Sequence, residues 1–223
     1  MKRLPLARNL LLAACLPLCG LSNTWAQTVS STSVLRTCTA AELRATERYW
    51  PLQNHDMLDF GASGNGYTLV NNPASTAAET NSAVTDSTGQ LLFFVDGGSI
   101  YNSTGALLQN GSGIKAQSSA EQDSVSFANP AKQGEYYVIT NNTVTAGFVS
   151  PTSDRTWYYS IVDMTANGVL GAEKNKNVQI AATAGISSEA LTAVPNAAGT
   201  GFWVVGIERN TNKIMAFEVT STG

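Results

Sequence analysis

A chain of 223 residues with 16 acidic and 13 basic side chains, a formal charge of −3 and 43% apolar residues is long enough for one large or two small cores. It has no basic surplus, which argues against nucleic acid and anionic lipid as partners, and no charge block of the kind that keeps a chain unfolded. Three cysteines and one histidine supply no Cys/His spacing for a structural metal site.

At the N-terminus, Lys2, Arg3 and Arg8 precede an apolar run from Leu10 to Leu21. Thr24 and Ala26 then supply the small residues that a signal peptidase reads, so residues 1–26 are expected to be a secretory signal. The run is shorter than the ~20 residues needed to cross a bilayer and nothing later is as long, so no membrane span is expected. "LAAC" at 12–15 has the form of a lipoprotein box, which keeps lipidation of Cys15 open, although a second apolar stretch follows it. Without Lys2, Arg3 and Arg8 the formal charge falls from −3 to −6, and without Cys15 and Cys19 the remaining thiol is Cys38. Cys38 reads as an inert buried thiol, an intermolecular partner, or half of a bridge to a part of the protein beyond this chain.

Residues 27–56 read as a polar leader followed by a short helix. In "TAAELRATERYW" at 39–50, Thr39 stands three residues before Glu42 in a capping box, and Pro51 ends the helix. From residue 57 the apolar period is that of strands. "MLDFG" and "YTLV" flank the Gly-rich "GASGNG" at 61–66, and 71–82 is a loop by composition. A first full unit begins at Ala83, with Leu91–Val95 as a strand buried on both faces and "DSTGQ" and "NSTGA" as hairpin turns. A four-stranded antiparallel meander is expected from about 82 to about 110.

A second unit runs through Val125–Phe127, Tyr136–Ile139, "TWYYSIVDM" at 156–164 and "VLGAEKNKNVQI". A long surface loop, 141–155, is inserted between its second and third strands. A third unit offers "ALTAV", "GFWVVGI" and "KIMAFEV" before "TSTG". The anchors Phe94, Val138 and Val205 lie 44 and 67 residues apart, and with the long loop and the "AATAGISSE" connection set aside the repeat is near the ~40–50 residues of a propeller blade. The expected fold is therefore all-β, with residues 57–223 forming a partial β-propeller of about three antiparallel four-stranded blades. The last blade is incomplete, the chain reads as truncated at its C-terminus, and an unpaired edge there would invite association with another chain.

The order "LDFG", "SAVTDSTGQLLFFVDGGSIYNSTGALLQNGSG", "WYYSIVDMTANGVLGA" and "LTAVPNAAGTGFWVVGIERNTNKIMAFEVTSTG" resembles the N-terminal propeller-like region of large secreted bacterial surface proteins, the kind that carry PKD-type or other adhesive repeats and gliding-motility-associated C-terminal domains. The resemblance spans roughly 50–223 and rests on strand and turn patterning. It implies a secreted or cell-surface location and a binding or scaffold role, and it brings no active-site residues with it.

Candidate chemistry is sparse. Ser112 and Lys115 in "SGIK" have the spacing of an acyl-transfer pair but sit in a Gly/Ser loop. His55 lies beside Asp56, where it offers one base or one ligand. Asp86, Asp96, Asp123, Asp154 and Asp163 carry oxygen donors suited to calcium, without the dense spacing of a dedicated loop; Asp96 and Asp163 suggest a polar ring at one propeller face. "GASGNG" resembles a phosphate loop only by glycine count. The sequons at Asn102, Asn110 and Asn141 read as hairpin turns. Tyr136, Tyr137, Trp157, Tyr158, Tyr159, Phe202 and Trp203 are candidates for a sugar-stacking surface as well as for the core.

No catalytic residue, metal site or cofactor is assigned from these motifs. The leading expectation is a non-catalytic extracellular module for adhesion, binding or scaffolding, with an unidentified protein or glycan ligand. The alternatives are a polysaccharide-active hydrolase or lyase built on a carboxylate cluster, and a fragment without independent function.

Overall fold

The structure, a computed structural model, describes residues 48–52, 56–61, 66–71, 81–117, 122, 124–143 and 154–222. The expected signal peptide, leader, Cys15, Cys38, His55, Asp123, most of "GASGNG" and most of the loop at 141–155 lie outside them.

The described part is all-β. β1 (Tyr49–Pro51), β2 (Asp56–Asp59) and β3 (Thr68–Asn71) make one antiparallel sheet, in the order β1-β2-β3. β4 (Asn81–Thr85), β5 (Leu91–Asp96), β6 (Ser99–Asn102) and β7 (Leu107–Ser112) form an antiparallel meander, and β8 (Ser124–Ala128), β9 (Glu135–Asn141), β10 (Trp157–Asp163) and β11 (Ala172–Gln179) form a second. Parallel pairing of Ala172 with Gln109 joins β11 to β7, so the two meanders make one eight-stranded sheet in the order β4-β5-β6-β7-β11-β10-β9-β8. Its edges nearly close, with Ser82 Oγ on β4 lying 2.8 Å from Ser126 Oγ and 3.1 Å from Ser124 Oγ on β8. β12 (Ser187–Pro195), β13 (Phe202–Glu208) and β14 (Ile214–Val219) form a third antiparallel sheet.

Local sequence chemistry explains the hairpins. In "DSTGQ", Asp86 Oδ1 accepts bonds from Thr88 N (2.8 Å), Thr88 Oγ1 (2.7 Å) and Gln90 N (2.9 Å). Asn102 repeats the device in "NSTGA" with Thr104 N, Thr104 Oγ1 and Ala106 N. An acceptor side chain thus satisfies turn amides that have no strand partner. Gly89 and Gly105, at φ 81° and 80°, supply the left-handed step that L side chains rarely adopt.

Alternation along the strands sets the packing between sheets. Phe93 and Val95 point into a core with Ile100, Leu108, Val138, Val162 and Met164, between the two meanders. Phe94 points the opposite way and stacks on Tyr101, with ring centroids 5.3 Å apart. β5 is therefore buried on both faces, as its unbroken apolar run implies. β9 behaves alike: Val138 joins the first core, whereas Ile139 joins Phe127, Trp157, Leu191 and Val204 in a second, between β8–β11 and β12–β14.

The expected meander at 82–110, the four strands of the second unit and the three of the third are all present. The anchors Phe94, Val138 and Val205 fall on β5, β9 and β13, the second strand of each unit. The expected helix over 39–50 requires correction. Tyr49 and Trp50 belong to β1, and there is no α-helix among the described residues, only single 3-10 turns at Asn167–Val169 and Ala181–Thr183. Residues 39–47 lie outside the described part. Strand wins at 49–51 because Tyr49 and Pro51 put buried or half-buried surface on one face, while Arg48 is drawn to Asp59 of β2 at 2.6 Å. Pro51 is compatible with β1 because that strand is an edge of its sheet. The β-structure thus reaches back to Tyr49, into the segment expected to be leader and helix.

Candidate functional site

The parallel β7–β11 pair orients both meanders in the same sense, and this sorts the connections into two ends. Short turns capped by Asp86, Asn102, Asn129 and Asp163 lie at one end of the sheets; the ends of β7, β9 and β11 and the starts of β8 and β10 lie at the other. Polar side chains stand at both ends: Glu135 with Lys132 and Lys174 beside the capped turns, and a second set at the other end. Such an end is where a rigid β-scaffold presents variable contacts.

Three groups meet there. Lys115, after β7, donates to the Tyr158 hydroxyl at 3.0 Å, and its Nζ stands 4.3 Å from the centre of that ring. The Tyr158 hydroxyl donates to Asp154 Oδ2 at 2.5 Å, and Lys115 Nζ is 3.4 Å from the same oxygen. The Tyr158 hydroxyl, backed by Asp154, holds the Lys115 ammonium above the ordinary lysine range. The lysine is therefore a cation and hydrogen-bond donor at neutral pH, not a free amine nucleophile. Asn177, in left-handed conformation at φ 54°, accepts from Lys115 N at 2.7 Å and donates to Gly113 O at 2.9 Å, fixing the loop that carries the lysine.

Beside this group lies a buried polar web. Thr143 Oγ1 donates to Asn141 Oδ1 at 2.6 Å, Ser187 Oγ donates to the same oxygen at 2.9 Å, and Asn141 Nδ2 donates to Ser188 O. Asn141 and Ser187 have no exposed surface. Gln117 Nε2 reaches Asn142 Oδ1 at 2.5 Å, and Thr183 Oγ1 accepts from Trp157 N at 2.8 Å. Hydrogen-bonded buried polar groups of this kind fix one geometry, and here they tie the entry of β12 to the ends of β9 and β10.

The sequence candidates separate clearly. Ser112 and Lys115 are not brought together as a pair: Ser112 ends β7 exposed, while the lysine turns to Tyr158 and Asp154. Asp86 and Asp163 cap turns, and the hydroxyls of Thr88 and Thr165 hold their carboxyls below the usual carboxylate range. Asp96 and Asp163 form no ring, because β5 and β10 run in opposite senses and end at opposite ends of the sheets. Asn102 is indeed a hairpin turn, whereas Asn141 is buried in the web. Among the aromatics, Tyr136 packs on Phe93, Tyr137 on Phe127 and Tyr159, and Phe202 on Phe127, while Trp157 is wholly buried. Trp203 remains 38% exposed, on the face of β13 away from the core.

Sequence reasoning missed the β7–β11 seam. Glu173 is buried, with Lys176 Nζ 3.1 Å from its Oε2; the contact is Coulombic, since neither carboxylate oxygen has an aligned hydrogen-bond donor. Burial pushes the Glu173 carboxyl up, more than Ser160 and Lys176 pull it down. The signal available was "EKNKN", a charged and amide-rich run in a segment that otherwise pairs as a strand.

Among the described residues no three His, Cys, Asp or Glu side chains gather to hold a metal, and no helix is long and apolar enough to cross a membrane. Comparison with protein-family models, with curated proteins and with solved structures finds no match to this chain.

Proposed function

We propose that the chain is a non-catalytic β-propeller-type module of an exported or cell-surface bacterial protein, which uses the long-loop end of its sheets to bind an extracellular protein or glycan. The observation that carries this reading is the difference between the two ends: capped hairpins on one side, and on the other the Lys115, Tyr158 and Asp154 group with the Asn141 web. Repeated meanders support the propeller, because β4 lies beside β8 and β8 beside β12, as the first strands of successive blades do around an axis. The β12–β14 sheet, like β5, carries apolar residues on both faces, with Trp203, Ile207 and Ile214 outward.

Apart from Glu173, which burial pushes up beside Lys176, the carboxylates favour binding over glycoside cleavage. Asp59 is held by Arg48, Glu135 by Lys132 and Lys174, and Asp154 by Lys115, while Asp86 and Asp163 cap turns. A glycosidase needs two carboxyls ~5–10 Å apart across a bound sugar, one of them free to protonate. The test is to express the full chain in a Gram-negative host, determine the N-terminus of the exported form, and screen that form against immobilised glycans and surface-protein extracts. Cleavage after Ala26 with saturable retention and no new reducing ends is the expected result. Retention in the cytoplasm, or release of reducing ends from a polysaccharide, overturns the reading.

A further inference from the structure

We infer that the β7–β11 seam is a calcium site in which the Lys176 ammonium is a displaceable stand-in for the ion. β11 departs from regular pairing here: its register against β10 shifts between Tyr159 and Ile161 and again between Ile161 and Val162. β7 meets it at a single ladder pair, Ala172 with Gln109. Beyond that pair, side chains take over the seam. Asn110 Nδ2 donates to Glu173 O at 3.2 Å, and Asn177 Nδ2 bonds Gly113 O.

Two carbonyls of β7 turn toward one point. Asn110, in left-handed conformation at φ 63°, presents its carbonyl to Lys176 Nζ, and Ser112 O accepts from the same nitrogen at 2.5 Å. Glu173 Oε2 completes the cage at 3.1 Å. The Glu173 side chain has no exposed surface, and both of its oxygens lack an aligned donor. A buried carboxylate without aligned donors is costly, and a cation that binds both oxygens at once removes that cost more completely than a single ammonium contact.

The donor set is oxygen only: a carboxylate able to bind through both oxygens and two backbone carbonyls. Hard oxygen donors of mixed type in an irregular cage suit calcium, whereas magnesium demands a stricter octahedron and gives up its water reluctantly. An entry path exists because the Lys176 side chain is 34% exposed, so its flexible stem can swing the ammonium into solvent as the ion enters. With one formal negative charge in the cage, the affinity falls in the ~10⁻⁴–10⁻³ M range of extracellular calcium modules. Asp86 and Asp163, singled out in the sequence, instead cap turns.

The experiment uses the full exported chain stripped with a chelator, followed by thermal unfolding and titration calorimetry with calcium and separately with magnesium. Calcium at 10 mM should raise the unfolding midpoint by about 3–6 °C, and magnesium should leave it within about 1 °C. Glu173→Gln should abolish the calcium response while keeping a cooperative transition. Lys176→Met, which removes the competing ammonium, should bind calcium about tenfold more tightly or better. A calcium response that survives Glu173→Gln, an equal response to magnesium, or a Lys176→Met protein that does not bind calcium overturns the assignment.

Discussion

The Trp157 indole of β10 lies directly over Gly206 of β13, so the second meander meets the β12–β14 sheet there with a ring against bare backbone. Trp157 has no exposed surface and packs edge-on against Phe217 at 5.7 Å. A methyl group at 206 would overlap both the ring and the carbonyl of Ala190. Gly206→Ala should therefore destabilise by about 1–3 kcal/mol through overpacking, although alanine suits a strand no worse than glycine. Urea denaturation of the variant checks this, and an unchanged midpoint would mean that the two sheets separate easily.

Acid should unfold the protein through a small set of carboxylates. Asp59 is held below the usual range by its bonds from Arg48 at 2.6 and 2.9 Å. Burial pulls Glu135 up, but Lys132 and Lys174 together outweigh it and leave the carboxyl low. Thr88 and Thr165 do the same for Asp86 and Asp163. In each case the unfolded chain takes up its proton first, near pH 4, so the stability these groups supply is complete above about pH 5 and drains away as pH falls through the native values. Denaturant midpoints measured from pH 6 to pH 2 should fall below about pH 4, and Glu135→Gln should make that fall shallower.

The fold was legible wherever a strand alternates or runs unbroken between turn residues. Asp86 with Gly89, Asn102 with Gly105, and the Phe93–Val95 run place β4 to β7 without any long-range information. Tyr49–Pro51 was not legible, since the capping-box spacing of Thr39 and Glu42 is a local signal, while the partner that makes 49–51 a strand is Asp56–Asp59 and the Arg48–Asp59 pair. The candidate site was legible only in outline. Most of the loop at 141–155 lies outside the described residues, and the union of Lys115 with Tyr158 and Asp154 joins residues 39 and 43 positions apart. Likewise the Glu173 cage depends on a parallel seam between strands more than 60 residues apart, with Asn110 Nδ2 bonding Glu173 O at a separation of 63.

Glu173 runs opposite to the other carboxylates. Its carboxyl is pushed up by burial, so the native state binds the proton more tightly than the unfolded chain does. That contribution is complete below the unfolded value near pH 4.3 and is lost as pH rises through the native one. Glu173→Gln keeps the shape without the charge. In chelator-treated protein it should raise stability at pH 7 by on the order of 1 kcal/mol and change little at pH 4. A loss of stability at pH 7 would mean that the Lys176 contact outweighs the cost of burial.

Ligand capture should depend on the Lys115 group more than folding does. Tyr158→Phe removes the hydroxyl that joins Lys115 to Asp154 while leaving the ring, which is almost wholly buried, in place. Lys115→Ala removes a half-exposed cation whose pairing with Asp154 is screened by solvent, so its effect on the unfolding midpoint should be small, within about 0.5 kcal/mol. Both variants should nevertheless lose tenfold or more in retention on the ligand recovered from the glycan and surface-protein screen, because the cation and its oriented donors form part of the presented surface. A control at the capped end, Asp86→Ala, should cost about 1 kcal/mol of stability through its lost turn bonds and leave retention unchanged. Surface plasmon resonance on the three variants distinguishes the two ends: equal loss in all three would trace to folding, and loss in Asp86→Ala alone would move the binding face to the hairpin turns.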